Sequence, residues 1–156
     1  VMGRDSGDIA LNAGIGGGAE EILIPEENMG KDRLVESLQR SKLSGKTSSI
    51  IVVSEGDKIG KNIFELAKYI EENLVGYEVR VTVLGHIQRG GSPSCYDRVL
   101  ASRLGVGAVD ALLRGENDVM IGIVHNKITS VLFRDTVKTK HKIDLELIRV
   151  ADIISI

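Results

Sequence analysis

Five short apolar runs, at 21–24, 49–53, 78–84, 119–124 and 128–133, are separated by segments of helical period. That alternation leaves few folds open, because strands that take turns with helices pair in parallel and bury both faces of their sheet. The run 49–53 is almost wholly Ile and Val, with none of the polar alternation of a strand that has one wet face. Between the runs, Leu34, Val35 and Leu38 recur at helical spacing, with Gly45 as a stop. Ile63, Ala67, Ile70 and Leu74 form one face of a second helix, with Lys61, Glu65, Lys68 and Glu72 largely opposite. A first helix through Ile9, Leu11, Ala13 and Ile15 ends at Gly16–Gly18, with Asp5, Ser6 or Asp8 as its cap. The longest helix is expected over 96–114, with close packing or a break at Gly105 and Gly107, and a terminal helix over 144–154. The chain therefore reads as α/β with a largely parallel sheet.

Polar groups follow three strand ends. They are Met2-Gly3-Arg4, Ser54-Glu55-Gly56, and Gly85-His86 with Gln88 and Arg89. Ligands of open α/β sheets sit beyond the carboxyl ends of the strands, so parallel neighbours would open all three places on one edge. The planar fork of an arginine suits a phosphate dianion. An ionised carboxylate only accepts, so Glu55 suits sugar hydroxyls. The glycine pair Gly90-Gly91 next to Arg89 permits close backbone approach to an anion. A sugar phosphate fits this set better than a metal or an acyl group.

Other chemistries fit less well. No Gly-x-Ser-x-Gly elbow, His-Glu-x-x-His pair or Walker phosphate loop is present. The glycines at 16–18 end a helix instead of opening one, so they are no dinucleotide fingerprint; Glu20 beside them suits a magnesium-bound phosphate. His125 and His141 stand apart as surface or loop residues. A net charge of −2 and 3% aromatic residues argue against nucleic acid or a membrane surface as partner. No apolar run approaches the ~20 residues of a membrane span, and no signal peptide is present. Cys95 is the single cysteine, as in a reducing, cytoplasmic setting. The opening Val1-Met2-Gly3-Arg4 reads as the end of a strand, so a fragment of a longer chain is expected.

Val1-Met2-Gly3-Arg4, Ser54-Glu55 and, above all, LGHIQRGGSPSCYDR at 84–98 resemble bacterial ATP-dependent 6-phosphofructokinases. The resemblance runs over essentially the whole chain and corresponds to the carboxyl-terminal half of such enzymes. It implies a three-layer α/β/α fold with a parallel sheet, and transfer of the ATP γ-phosphoryl group to the 1-hydroxyl of fructose 6-phosphate, with Mg²⁺. Residues 1–91 and 134–156 would form the fructose 6-phosphate domain, and 92–133 would cross back to an ATP-binding domain absent from this chain. By the same resemblance, Met2, Gly3 and Arg4 border the sugar and the transferred phosphate, with Arg4 the catalytic member. Glu55 accepts from fructose hydroxyls, and His86 and Arg89 hold the 6-phosphate. Arg80 reaches that phosphate in a neighbouring subunit, which implies a homo-oligomer, a tetramer in the bacterial family. Gly18, Glu20 and Lys46 match an effector site for ADP or phosphoenolpyruvate, with Glu20 meeting the effector's Mg²⁺. Ser44 and Thr47 stand where the family often has lysine, so anion affinity there should be weaker. The glycine-rich ATP site and the catalytic aspartate belong to the other half, so the fragment alone should be inactive. A pyrophosphate-dependent relative and a non-catalytic sugar-phosphate-binding module remain the alternative readings.

Overall fold

The computed structural model describes residues 1–137 and 142–154. It divides into two compact units, Val1–Arg89 with Lys142–Ile156, and Gly90–His141.

In the first unit, β1 (Glu21–Leu23) pairs in parallel with β2 (Ile51–Val53), Leu23 opposite Val53. Successive strand side chains point to opposite faces. Leu23 accordingly joins a core with Leu34, Val35 and Leu38 of α2 (Lys31–Leu43), Leu66 and Ile70 of α3 (Ile63–Asn73), and Leu74. Ile22 points the other way, against Gly14 of α1 (Asp8–Gly17). Helices thus cover both faces, the three-layer α/β arrangement. The last helix, α6 (Leu145–Ile154), packs on α1. None of the expected caps holds the N-cap position of α1, although the Ser6 hydroxyl accepts from the Asp8 amide at 3.4 Å. The N-cap is Gly7, and Ser6 also donates to the side chain of Asp8.

The run 78–84 departs from expectation. Residues 77–84 form no helix and belong to no ladder among the described residues. A strand exists only through a neighbour's hydrogen bonds, and here the Val79 amide donates to the Glu71 carboxylate, at 2.9 Å, instead of to another strand. Val79 packs on the core, whereas Val83 and Leu84 are exposed.

The second unit contains α4 (Cys95–Leu113), β3 (Val119–Val124), β4 (Lys127–Leu132) and the one-turn α5 (Phe133–Thr136). Ser94 and Asp97 form a reciprocal capping box at the start of α4. The helix runs unbroken through both its glycines, and Gly107 lies against Ile121 and Ile128 of the hairpin. β3 and β4 are antiparallel, which a largely parallel reading does not anticipate. The reason is the two-residue turn His125-Asn126, both at positive φ (48° and 62°), which matches the right-handed twist of a tight hairpin. His125 is thus a turn residue, while His141 lies outside the described residues. Val106, Val109, Leu112 and Leu113 on α4 are exposed, although periodicity alone would bury the last two.

Candidate functional site

The site is built at the carboxyl end of β2. There the chain enters the loop 54–57, anchored by Asp57, whose buried carboxylate accepts from the amides of Ile59 (3.0 Å) and Gly60 (2.7 Å). Residues 1–3 lie alongside this loop as a parallel extension. The Val1 nitrogen donates to Val53 O (2.6 Å), Glu55 N donates to Val1 O (2.9 Å), and Gly56 N donates to Gly3 O (3.1 Å). The fully buried Ser54 adds a hydroxyl bond to the Gly3 carbonyl.

On the other side of the 1–3 segment is a 3-10 turn, Gly85–Arg89. Gln88 accepts from the Met2 amide at 2.9 Å. Met2, Gly3 and Arg4, Glu55, and the turn bearing His86 and Arg89 are therefore tied into one backbone framework. Arg4, Glu55, His86 and Arg89 are all exposed on this framework. This is a surface that can grip a small anion with hydroxyls.

Arg80 is not drawn into that framework. Its guanidinium pairs with Glu78 at 3.0 Å and is largely exposed. Sequence reasoning placed Ser54, Gly56 and Gln88 among the polar groups at the strand ends but gave them no part in holding the framework together, and it passed over Asp57. Only the position of Gln88, between His86 and Arg89, signalled such a part.

Gly18, Glu20 and Lys46 lie at the opposite end of β1. Gly18 is the left-handed C-cap of α1 (φ 68°). Glu20 and Lys46 form an ion pair at 3.5 Å, and the other Glu20 oxygen accepts from Ile50 N at 2.5 Å. Both oxygens of Glu20 are engaged, so an ion at Glu20 would have to displace one of these bonds.

Beside this pair is a cleft of about 560 Å³ between α1, α2 and α6. It carries Glu21, Glu27 and Asp152, with Arg33, Ser37 and Arg40. Burial pushes the Glu21 carboxyl above the ordinary range, and Asp152 adds to it, while a hydrogen bond with Ser37 and the charges of Arg33 and Arg40 oppose the shift. Burial raises Glu27 in the same way, with Asp152 adding and Arg33 opposing. A raised acid binds its proton more tightly in the folded state, so stability falls as pH rises through the folded pKa. Glu21→Gln should therefore stabilise the chain at about pH 7.5 and change it little at about pH 4. Thermal unfolding at the two pH values checks this; an equal shift at both would exclude ionisation as the cause.

A family model described as Phosphofructokinase matches residues 1–112. The chain belongs to the phosphofructokinase family. It is 48% identical to the ATP-dependent 6-phosphofructokinase of Brevibacillus brevis, over 100% of this chain and 48% of that protein. It thus spans about half the length of the curated relatives it matches. Among solved structures, Pichia pastoris phosphofructokinase in the T-state superposes with a TM-score of 0.79 at 32% identity, over 99% of this chain and 17% of that one. The pyrophosphate-dependent phosphofructokinase of Marinobacter aquaeolei superposes with a TM-score of 0.80 at 24% identity, over 94% of this chain and 41% of that one. That last likeness speaks for the fold alone.

Proposed function

We propose that the chain is the fructose 6-phosphate-binding half of an ATP-dependent 6-phosphofructokinase. The observation that carries the reading is the framework joining Met2–Arg4, Glu55 and the 85–89 turn at one end of β2. The names of the relatives that are nearly half identical over the whole chain support ATP as donor over pyrophosphate.

In this reading Arg89 and His86 take the 6-phosphate, and Glu55 accepts from the fructose hydroxyls. Met2 and Gly3 line the sugar, and Arg4 lies nearest the transferred group. The fructose 1-hydroxyl oxygen bonds to the γ-phosphorus, the bond to the leaving ADP breaks, and the hydroxyl proton passes to a base outside this chain. Such transfers depend on positioning and charge stabilisation around nucleotide and metal, so this half alone is inactive. No group of three or more potential metal ligands comes together among the described residues.

The fructose 6-phosphate domain comprises 1–91 and 134–156, and 92–133 joins the nucleotide-binding domain. The compact unit Gly90–His141, with its exposed Val106, Val109 and Leu112, supports the boundary near residue 91, while its other end lies at His141, beyond Phe133. Arg80, exposed and paired with Glu78 among the described residues, serves a site on another subunit of a homotetramer. Gly18, Glu20 and Lys46 form an effector site for ADP or phosphoenolpyruvate, with Mg²⁺ at Glu20. The single cysteine suits a cytoplasmic setting, which is the location taken in this reading. Among the described residues no helix is long and apolar enough to cross a membrane.

Calorimetric titration of the chain with fructose 6-phosphate tests the reading. Hydrogen bonds to charged groups contribute ~1.5–3 kcal/mol, so Arg89→Ala or Glu55→Ala should each weaken binding by ~10–100-fold. Affinity unchanged by both substitutions would remove these residues from the site.

A further inference from the structure

We propose that Gln88 is a positioning residue that couples the phosphate-gripping turn to the Met2–Arg4 segment. The proposal deepens the sugar-phosphate reading and rests on it for its effect on binding, though not for the contact itself.

In an extended segment, successive residues direct their backbone groups to opposite edges. Val1 and Gly3 turn theirs to the β2 side, where they meet Val53, Ser54, Glu55 and Gly56. The Met2 amide therefore points to the other edge, and its partner there is the side-chain carbonyl of Gln88. A half-buried amide left without a partner is costly, so this one bond fixes where the turn sits.

The turn's own geometry adds to the argument. A 3-10 helix has three residues per turn, so residues i and i+3 eclipse. His86 and Arg89 thus share one face of Gly85–Arg89, and Gln88 lies on another. Exposure agrees: His86, Ile87 and Arg89 are exposed, whereas Gln88 is half-buried. Gln88 held on Met2 sets the rotation of the turn, and with it the angle from which His86 and Arg89 face Arg4 and Glu55. A ligand that spans both ends, a sugar phosphate, feels this coupling. Inorganic phosphate, which needs only the turn, does not.

The test uses the 156-residue chain, with amide exchange followed by NMR and the amides of Leu34 and Leu66 as controls for the fold. Gln88→Ala should speed Met2 exchange by ~10-fold, the worth of one hydrogen bond. Gln88→Glu keeps an acceptor and should hold Met2 exchange within about twofold of wild type. Gln88→Ala should also raise the Kd for fructose 6-phosphate by ~10-fold and the Kd for inorganic phosphate by less than about twofold. Gln88→Met, of similar length without the acceptor, replaces Gln88→Ala should that variant lose protection at Leu34 and Leu66. Loss of core protection in both would overturn the proposal, because Gln88 would then serve the fold. Unchanged Met2 exchange would overturn it too, as would equal weakening of both ligands. If the wild-type chain binds no fructose 6-phosphate, the sugar-phosphate reading fails, and the exchange arm alone decides the tether.

Discussion

The Gly56→Ala chain is expected to bind fructose 6-phosphate about 100-fold more weakly than wild type, the usual scale of a ~1 Å misplacement in a positioned site. A Cβ at position 56 would lie 1.9 Å from the Arg4 carbonyl oxygen and 2.6 Å from its carbon. Both are backbone atoms, so no side-chain rotation relieves the contact. The 1–4 segment must move away from the loop, and the bond from Gly56 N to Gly3 O is strained with it. Arg4 and Glu55 then separate, although neither has been altered. The remainder of the unit should bear only the usual ~1–3 kcal/mol of overpacking. Calorimetry with fructose 6-phosphate beside urea unfolding separates the two effects. Wild-type affinity in a folded Gly56→Ala chain would show that the 1–4 segment does not form the site.

The Leu34→Ala substitution acts through the core instead. Leu34 is fully buried among Leu23, Leu38, Leu66, Ile70 and Leu74. Removing a buried leucine side chain costs ~2–5 kcal/mol, depending on how far the cavity collapses. Domains of this size hold only ~5–15 kcal/mol in total, so the urea midpoint of the first unit should fall sharply. A midpoint within error of wild type would mean that α2 does not pack on β1 as described.

The helices were legible because their signal is local. Leu34, Val35 and Leu38 recur every three or four residues and are all buried on α2. Ile70 of α3 and Leu74 at its C-cap did the same. Strand pairing is not local, and there the reading was poorer. The run 78–84 has the β-branched residues of a strand, yet what a strand becomes depends on a neighbour far along the chain. The antiparallel hairpin was legible in principle, since His125-Asn126 between two apolar runs is a two-residue turn signal. Alternation with helices outweighed it. At the candidate site, the charged residues stood out because charge after a strand is conspicuous. Ser54, Gly56 and Gln88 stood beside them, but their roles were not legible, because what they contribute is a contact with backbone 30 or more residues away, which no spacing rule encodes.

The discontinuity of the first unit has a consequence for biosynthesis. The second unit is one contiguous stretch whose hairpin and helix meet over short separations. Such local topologies form quickly. The first unit is interrupted by that whole stretch, and α1, which ends at Gly17, packs on α6, which the ribosome begins only at Leu145. Domains emerge amino-terminal end first at about 5–20 residues per second, so α1 waits on the order of ten seconds for its cover. During that interval the nascent chain carries a finished insert inside an unfinished host, and it is then that chaperone binding or aggregation would compete with docking of α6.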